Sequence, residues 1–409
     1  MYIDDHCLSV EFSIAGLQFE PNNIVNLSSE RQAFLYKICS SSGPLISDFV
    51  THEQDFTYST FGIHVGQDDR LTFMGGNGRP IVAECIDCRE GSPTLHQHLR
   101  FSFMPRPDRK LIIPRGVAHT FDNLEFVVTR DEPVWHSDWN NPDWNVDNDL
   151  VSIPRKAPPS QWPVVRPNRF LLPDDVHCLL SRMSQTLLEN PTAYLARYKV
   201  RVANQDTYVA FEPETWAEDR VALETLLKPS GHDGVTFIKS RYALTGPQSW
   251  TLVPSTGACV ADVLLLSATA SQLAEPVLHT RTRKYLTLMG PQNADVTLET
   301  VDCRQGRNPD RKPTLTTLKV DPRRVIVIDP GVSYAFRTSV DILVRSEQDV
   351  FVAADEPRSD LRLFNVDSLR LSEFTDANGL NTPEFRCPDA LVYRFGKEDV
   401  ARFENAYSS

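Results

Sequence analysis

Short apolar runs broken by turn residues set the rhythm of this chain. IVAECIDC (81–88), KLIIP (110–114), LEFVVTR (124–130), DVTLETVDC (295–303) and RVIVIDP (324–330) are strand-length, rich in β-branched and aromatic side chains, and bounded by turn formers. Many such runs at short intervals are the pattern of a sandwich or barrel. One segment departs from it. In DDVHCLLSRMSQTLLEN (174–190), Leu179, Leu180, Met183, Leu187 and Leu188 recur at helical spacing behind an N-cap candidate, Asp174 or Asp175. The 29 prolines interrupt the chain too often for long helices elsewhere. The fold class is therefore all-β, with a helix near mid-chain.

The pattern also repeats itself. HVGQDDRLTFMG (64–75) aligns with HTRTRKYLTLMG (279–290), an offset of 279 − 64 = 215. The offset then holds without a gap. It pairs Glu84 with Glu299, Asp87-Cys88-Arg89 with Asp302-Cys303-Arg304, Gly116-Val117 with Gly331-Val332, Phe121 with Phe336 and Arg130 with Arg345. Upstream, FEPNNIVNLSSER (19–31) answers FEPETWAEDR (211–220) at an offset of 192. A duplicated unit is the expected source of such a register. The Pro-rich stretch 153–173 and the helix after it mark the boundary. The expected organisation is an N-terminal β domain (1–152), a linker and helix (153–195), and a C-terminal β domain (196–409) ending in helical segments.

Charge and cysteine content narrow the classes. The 409 residues carry 42 Lys+Arg against 54 Asp+Glu, so the formal charge is 42 − 54 = −12. This balance argues against a nucleic-acid partner. No run approaches the roughly 18 apolar residues of a membrane span, and the N-terminus MYIDDHCLSV is acidic where a signal peptide is basic and then apolar. The expectation is a cytoplasmic protein without a membrane partner. Eight cysteines in this length do not describe a disulfide framework. Cys85 and Cys88 invite a zinc or redox reading, but residues three apart on a strand face opposite sides, and no second Cys pair accompanies them.

Several motifs occur in a family-like order. FEPETWAEDR, FGIHVGQDDRL, CIDCREGSP, IPRGVAHTF (113–121) and WNNPDW (139–144) together resemble the dTDP-4-dehydrorhamnose 3,5-epimerase family of cupins, and the resemblance runs through nearly all of each half. It implies two tandem jelly-roll barrels, each followed by short helical segments. It further implies a 4-keto sugar nucleotide substrate in the barrel mouth, no metal or redox cofactor, and dimeric pairing of barrels. For one duplicated chain this means a monomer with an intramolecular pair of cupins, or a homodimer.

Proton removal beside a ketone needs a base with a pKa near 7 and a cation for the enolate oxygen. By the resemblance, His64 is the base, Arg70 takes the cation position and His119 lines the same cavity. Asp174 or Asp175, the latter preferred, orients the base. In the second copy His279 is the base, Tyr285 stands at the cation position beside Lys284, Tyr334 replaces the second histidine, and Asp376 is the carboxylate. Arg31 and Arg220 match the arginine of the opening motif, and Phe61 replaces an arginine that contacts diphosphate in the family. The family's acid tyrosine maps near Val128 and Leu343, so the second face of the proton relay is missing. That favours a one-face isomerisation, an elimination or a cyclisation.

Each assignment has a plainer alternative. His64 would serve equally as a satisfied polar group in a strand, and its recurrence as His279 is what favours a cavity role. A charge at a strand start, such as Arg70, is commonly solvated. PRGVAHTFDN also matches a metal-binding cupin motif, which raises a metal-dependent bicupin dioxygenase; the lone His-x-His, His96 and His98, lacks its glutamate, and position 334 is not histidine. His96 and His98 are expected to share one strand face and meet solvent or a neighbouring chain. Trp135 and Trp144 are candidate sugar-stacking platforms, with Trp139 read as packing. The expected function is a cofactor-free isomerase or epimerase acting on a keto sugar or another carbonyl-bearing biosynthetic intermediate. The alternatives are a natural-product cyclase and a non-catalytic ligand-binding bicupin.

Overall fold

The computed structural model describes residues 1–4, 6–26, 33–39, 48–144, 148–172, 198–202, 205–209, 234–239, 242–246, 249–252, 262–266, 276–279, 282–304, 312–351, 368–370 and 392–393. The helix expected over 174–190 and the helical segment after the second barrel lie outside these residues. Strands dominate the described residues, as the alternating pattern requires, with a 3-10 turn at Pro159–Gln161. No helix among the described residues is long and apolar enough to cross a membrane.

Two compact units form. The first is built around eight of its strands: β1 (Asp48–His52), β2 (Thr60–His64), β3 (Gln67–Gly75), β4 (Ile81–Asp87), β5 (His98–Phe103), β6 (Arg109–Ile113), β7 (Val117–Asp122) and β8 (Val127–Asp131). They pair antiparallel in the orders β6-β3-β8-β1 and β2-β7-β4-β5. Eight strands in two such Greek-key sheets are a jelly roll. The second unit repeats it with β9 (Asp262–Leu266), β10 (Val277–His279), β11 (Thr282–Met289), β12 (Asp295–Asp302), β13 (Thr314–Lys319), β14 (Arg324–Ile328), β15 (Val332–Thr338) and β16 (Ile342–Phe351). Its orders, β14-β11-β16-β9 and β13-β12-β15-β10, correspond strand for strand.

The contiguous domains expected from sequence need one correction. The first unit comprises Met1–Ile24, Cys39–Ala217 and Tyr242–Val253, and the second Val25–Ile38, Glu218–Arg241 and Pro254–Ser409. Thus the edge of β1 is completed by Ser249–Leu252, and the edge of β9 by Ala33–Cys39. An uncovered edge leaves a row of backbone donors and acceptors unpaired, and each unit closes its own with a strand from the other half of the sequence. The linker 153–165 also belongs to the first unit, since Trp162 and Val165 pack on Phe61, Ile63, Ile86, Cys88, Ala118 and Ile153.

Period-two alternation decides which side chains fill the first barrel. Ile81, Ala83 and Cys85 of β4 point inward with Phe101, Phe103, Leu111, Ile113 and Phe121, while Cys88 lies in the outer cluster. The two cysteines therefore sit on opposite faces, as their spacing requires. Phe12, Phe19, Phe73, Phe101, Phe103 and Phe121 touch through ring centroids 4.3–6.2 Å apart. Burying each such ring contributes about 1.5–3 kcal/mol. This apolar filling leaves one end of the barrel, where β2 ends and β3 begins, for polar side chains.

Candidate active site

Position along the strand selects the inward residues at that end. On β2, Phe61 and Ile63 join the outer cluster, which places Gly62 and His64 on the inner face. On β3, Leu71 and Phe73 belong to the core, so alternation carries Asp69 and Gln67 inward as well. On β7, His119 lies between the core residues Val117 and Phe121 and directly opposite Gly62. A Cβ at Gly62 would meet Leu150 Cδ1 at 3.1 Å.

These choices bring His64, Asp69 and His119 together. The imidazole rings stack with centroids 5.9 Å apart and planes at 26°. His64 Nε2 lies 3.7 Å from Asp69 Oδ1, and His119 Nε2 lies 3.4 Å from Asp69 Oδ2. Asp69 is only 3% exposed, against 20% for His64 and 13% for His119, so the two rings present the accessible edges. Gln67 Nε2 donates to Asp69 Oδ1 at 2.5 Å and approaches Asp131 Oδ2 at 3.4 Å.

His64 is held from behind. Its Nδ1 donates to Asp149 Oδ2 at 2.9 Å, and the other carboxylate oxygen accepts from Gly66 N at 2.5 Å and from Trp144 Nε1 at 2.6 Å. A carboxylate only accepts, so the His64 proton sits on Nδ1 and Nε2 faces the cavity. Gly66 is required by close approach: a Cβ there would come within 2.5 Å of both Trp144 and the His136 carbonyl. Leu150, the residue after Asp149, pairs with His64 across the sheet, which fixes the carboxylate at its height.

Electrostatics divides the two histidines. Burial pulls the His64 pKa down, but the Asp69 charge, the Asp149 hydrogen bond and charge, and Asp131 outweigh it and raise it from 6.5 to about 9. For His119 burial dominates and lowers the pKa; Asp69 opposes this, and the nearby His64 charge reinforces it. At neutral pH His64 is an imidazolium and His119 a neutral imidazole. Groups pushed apart in this way can act as an acid and a base side by side.

The same three side chains offer a metal-type donor set. One ligand atom from each of His64, Asp69 and His119 lies within 4.8 Å of the others. The His119 Nδ1 sits 3.3 Å from the Val117 carbonyl, so both rings have Nδ1 engaged and Nε2 turned toward Asp69. Two histidines and a carboxylate with their outer nitrogens held fit a divalent metal.

The structure relocates several expected residues. Arg70 alternates with Asp69 and lies on the outer face of β3, where Lys110, Arg130 and Glu132 are its electrostatic company. Phe61 packs under the linker and does not line the cavity. Trp135 is buried against Trp144, with ring centroids 6.5 Å apart, and so offers no open face to a sugar. Trp139, read as packing, stacks on Phe170 with ring centroids 3.7 Å apart. Tyr285 faces away from the second barrel's core, which alternation reserves for Lys284, Leu286 and Leu288. His279 and Tyr334 do meet, with Nε2 3.4 Å from the hydroxyl. His96 and His98 share an environment around Trp162, although only His98 is on the strand. Asp174, Asp175, Asp376, Arg31 and Arg220 lie outside the described residues.

The residues missed by sequence reasoning are Asp69, Asp131, Asp149 and Gly66, while Trp144, expected as a sugar platform, instead donates to Asp149. For Asp69 the signal was present: counting back by twos from Phe73 and Leu71 reaches it and passes over Arg70. Asp149 carries no local signal, because a turn of the chain 85 residues away brings it to His64.

Fold and site together define a chain of two jelly-roll units, the first bearing a buried histidine–carboxylate cluster. No family model and no curated protein matches the chain. Among solved structures it is similar to the dTDP-6-deoxy-D-glucose-3,5-epimerase of Legionella pneumophila, at 18% identity over 41% of this chain and 89% of that one, TM-score 0.27. It is similar to the dTDP-4-dehydrorhamnose 3,5-epimerase of Bacillus anthracis at 17% identity over 39% and 92%, TM-score 0.28. The oxalate decarboxylase of Lactobacillus farciminis matches at 9% identity over 81% of each chain, TM-score 0.21.

Proposed function

We propose that the first unit is a proton-transfer isomerase for a keto sugar or a related α-hydroxy carbonyl compound. The observation that carries this reading is the stacking of His64 and His119 with both Nε2 atoms turned to one buried carboxylate, Asp69, in surroundings that raise the pKa of the first ring and lower that of the second. His119 Nε2 removes the proton on the carbon next to the carbonyl. The carbonyl oxygen accepts a hydrogen bond, then the proton, from His64 Nε2, giving an enediol. Protonated His119 returns a proton to the former carbonyl carbon from the same side while the neighbouring hydroxyl gives its proton to the now neutral His64 Nε2, so the carbonyl moves to its neighbour and both imidazoles recover their starting states. The reaction is redox-neutral, and an imidazolium aimed at the developing oxyanion supplies the stabilisation it needs. Relative to the sequence expectation, His64 changes from base to acid, and His119 becomes the base.

The test is incubation of the full chain in deuterated water with a panel of α-hydroxy ketone sugars, read by mass spectrometry. A one-mass-unit gain that vanishes in His119→Gln, and falls 10²- to 10⁴-fold in His64→Gln, supports the reading. Isomerisation with unchanged rate in folded His119→Gln would overturn it and leave a ligand-binding barrel or a shape-driven cyclase.

A divalent metal on His64, Asp69 and His119 is a second reading, favoured by the turn of both Nε2 atoms toward one carboxylate. Such an ion would polarise the same carbonyl as a Lewis acid. Elemental analysis separates the two: stoichiometric metal in the purified protein, lost in Asp69→Asn, would replace the proton relay.

A further inference from the structure

Asp69 lies deeper in the first barrel than the two imidazoles that face it. Its two carboxylate oxygens are not equally served. Gln67 Nε2 donates to Oδ1 at 2.5 Å, which fixes the carboxylate in place. Oδ2 accepts no hydrogen bond from the described residues. His119 Nε2 comes no nearer to it than 3.4 Å, outside the roughly 2.7–3.2 Å of an N–H···O bond. A buried carboxylate oxygen left without a donor is costly, so a filled site should bring one.

Position decides which group of a ligand carries that donor. In the isomerisation read above, on which this inference rests, the substrate's carbonyl oxygen meets His64 Nε2 and the adjoining C–H meets His119 Nε2. Asp69 stands between those two nitrogens, 3.7 Å from the first and 3.4 Å from the second. All three ligand atoms lie within 4.8 Å of one another, so a small substrate that engages both imidazoles also brings a substituent of its α-carbon to the carboxylate. A hydroxyl is the substituent that suits both demands. It has the hydrogen that Oδ2 lacks, and it is the group that becomes the new carbonyl when the double bond moves. Asp69 remains a carboxylate throughout, because the hydroxyl proton goes to His64 in the second half of the reaction.

We propose that Asp69 is the specificity-determining residue of the first unit, accepting through Oδ2 a hydrogen bond from the hydroxyl on the carbon next to the carbonyl. The site therefore takes α-hydroxy ketones and discriminates against their deoxy counterparts, which leave the buried oxygen unpaired.

The experiment compares hydroxyacetone with butanone, in which a methyl group of similar size replaces the hydroxyl. Binding to the full chain is titrated through the proton NMR shift of the His119 Cε1 resonance, and α-carbon exchange in deuterated water is followed separately. Hydroxyacetone should bind about 10- to 100-fold more tightly than butanone. Asp69→Leu, which fills the space but accepts nothing, should bring that ratio to about one, and Asp69→Asn, which keeps the shape without the charge, should lower it several-fold. If Asp69→Leu fails to fold, Asp69→Asn decides. Equal affinity for the two ketones in the wild-type chain, or an undiminished ratio in folded Asp69→Asn, overturns the inference whether or not exchange occurs. Hydroxyl-selective binding that depends on Asp69, without α-carbon exchange, supports Asp69 as the hydroxyl acceptor and overturns the isomerisation alone.

Discussion

Asp149 is the residue on which the first unit's site turns. One carboxylate satisfies an imidazole, a backbone N–H and an indole N–H, all in a region closed to water. Asp149→Ala strands the Gly66 and Trp144 donors, and a buried orphan donor costs about 1–3 kcal/mol. Urea unfolding of Asp149→Ala should show a loss of about 2–4 kcal/mol; a change below about 0.5 kcal/mol would mean the three contacts are not made together. The histidines also shape the pH dependence of stability. His64 is raised to about 9, so its contribution is complete below the unfolded value of 6.5 and is lost as pH rises from about 6.5 to 9. His52 is buried neutral and lowered to about 4 by that burial, so the unfolded chain takes up its proton first and stability falls as pH drops from 6.5 toward 4. Each shift is worth roughly 3 kcal/mol across its window. Melting temperature against pH should therefore peak near pH 6–7, and His64→Gln should flatten the alkaline side alone. An alkaline limb unchanged by that substitution would contradict the assigned shift.

Strand alternation was the most legible feature of the sequence and also the one most easily overridden. The 215-residue register relates β2–β8 to β10–β16, because both copies obey the same inside-outside rhythm, while β1 and β9 differ from it by one residue, Thr51 pairing with Val128 and Leu265 with Leu343. Where the family resemblance suggested Arg70 and Tyr285 for the cavity, the alternation read from Leu71 and Leu286 pointed instead to Asp69 and Lys284, and the strands follow the alternation. A one-residue difference in register exchanges the faces of the whole strand, so a sequence match good to one position does not fix a site residue. Phe101 on β5 illustrates the inward face: its ring lies 4.3 Å from Phe12, 6.2 Å from Phe19 and 6.0 Å from Phe103. Phe101→Ala should cost about 3–5 kcal/mol in chemical denaturation. The neighbouring outward residue Arg100, substituted by alanine, should change stability by less than about 1 kcal/mol. Similar losses from both would mean that β5 does not have one buried and one solvated face.

At the scale of the whole molecule, the sequence showed that there are two units but not how their sheets are completed. The segments at 33–39 and 249–252 look like any other short strands, and nothing local says that each closes a sheet built mainly from the other half. The consequence is testable. Residues 1–195 expressed alone lack the strand that pairs with β1, and residues 196–409 alone lack the one that pairs with β9. Neither fragment should show the cooperative thermal transition of the full chain, whose cores depend on closed edges. Sharp, independent melting of both fragments would show that the contributed strands are dispensable.

The first barrel holds two neighbouring histidines, His64 and His119, whose pKa values its charges and burial push in opposite directions. Proton NMR titration of the histidine Cε1 resonances in the full chain, assigned with His64→Gln and His119→Gln, tests it without knowledge of the substrate. A resonance titrating near pH 9 that disappears in His64→Gln is expected, with another titrating below 6.5 that disappears in His119→Gln. Titration of both histidines together near pH 6.5 would contradict it.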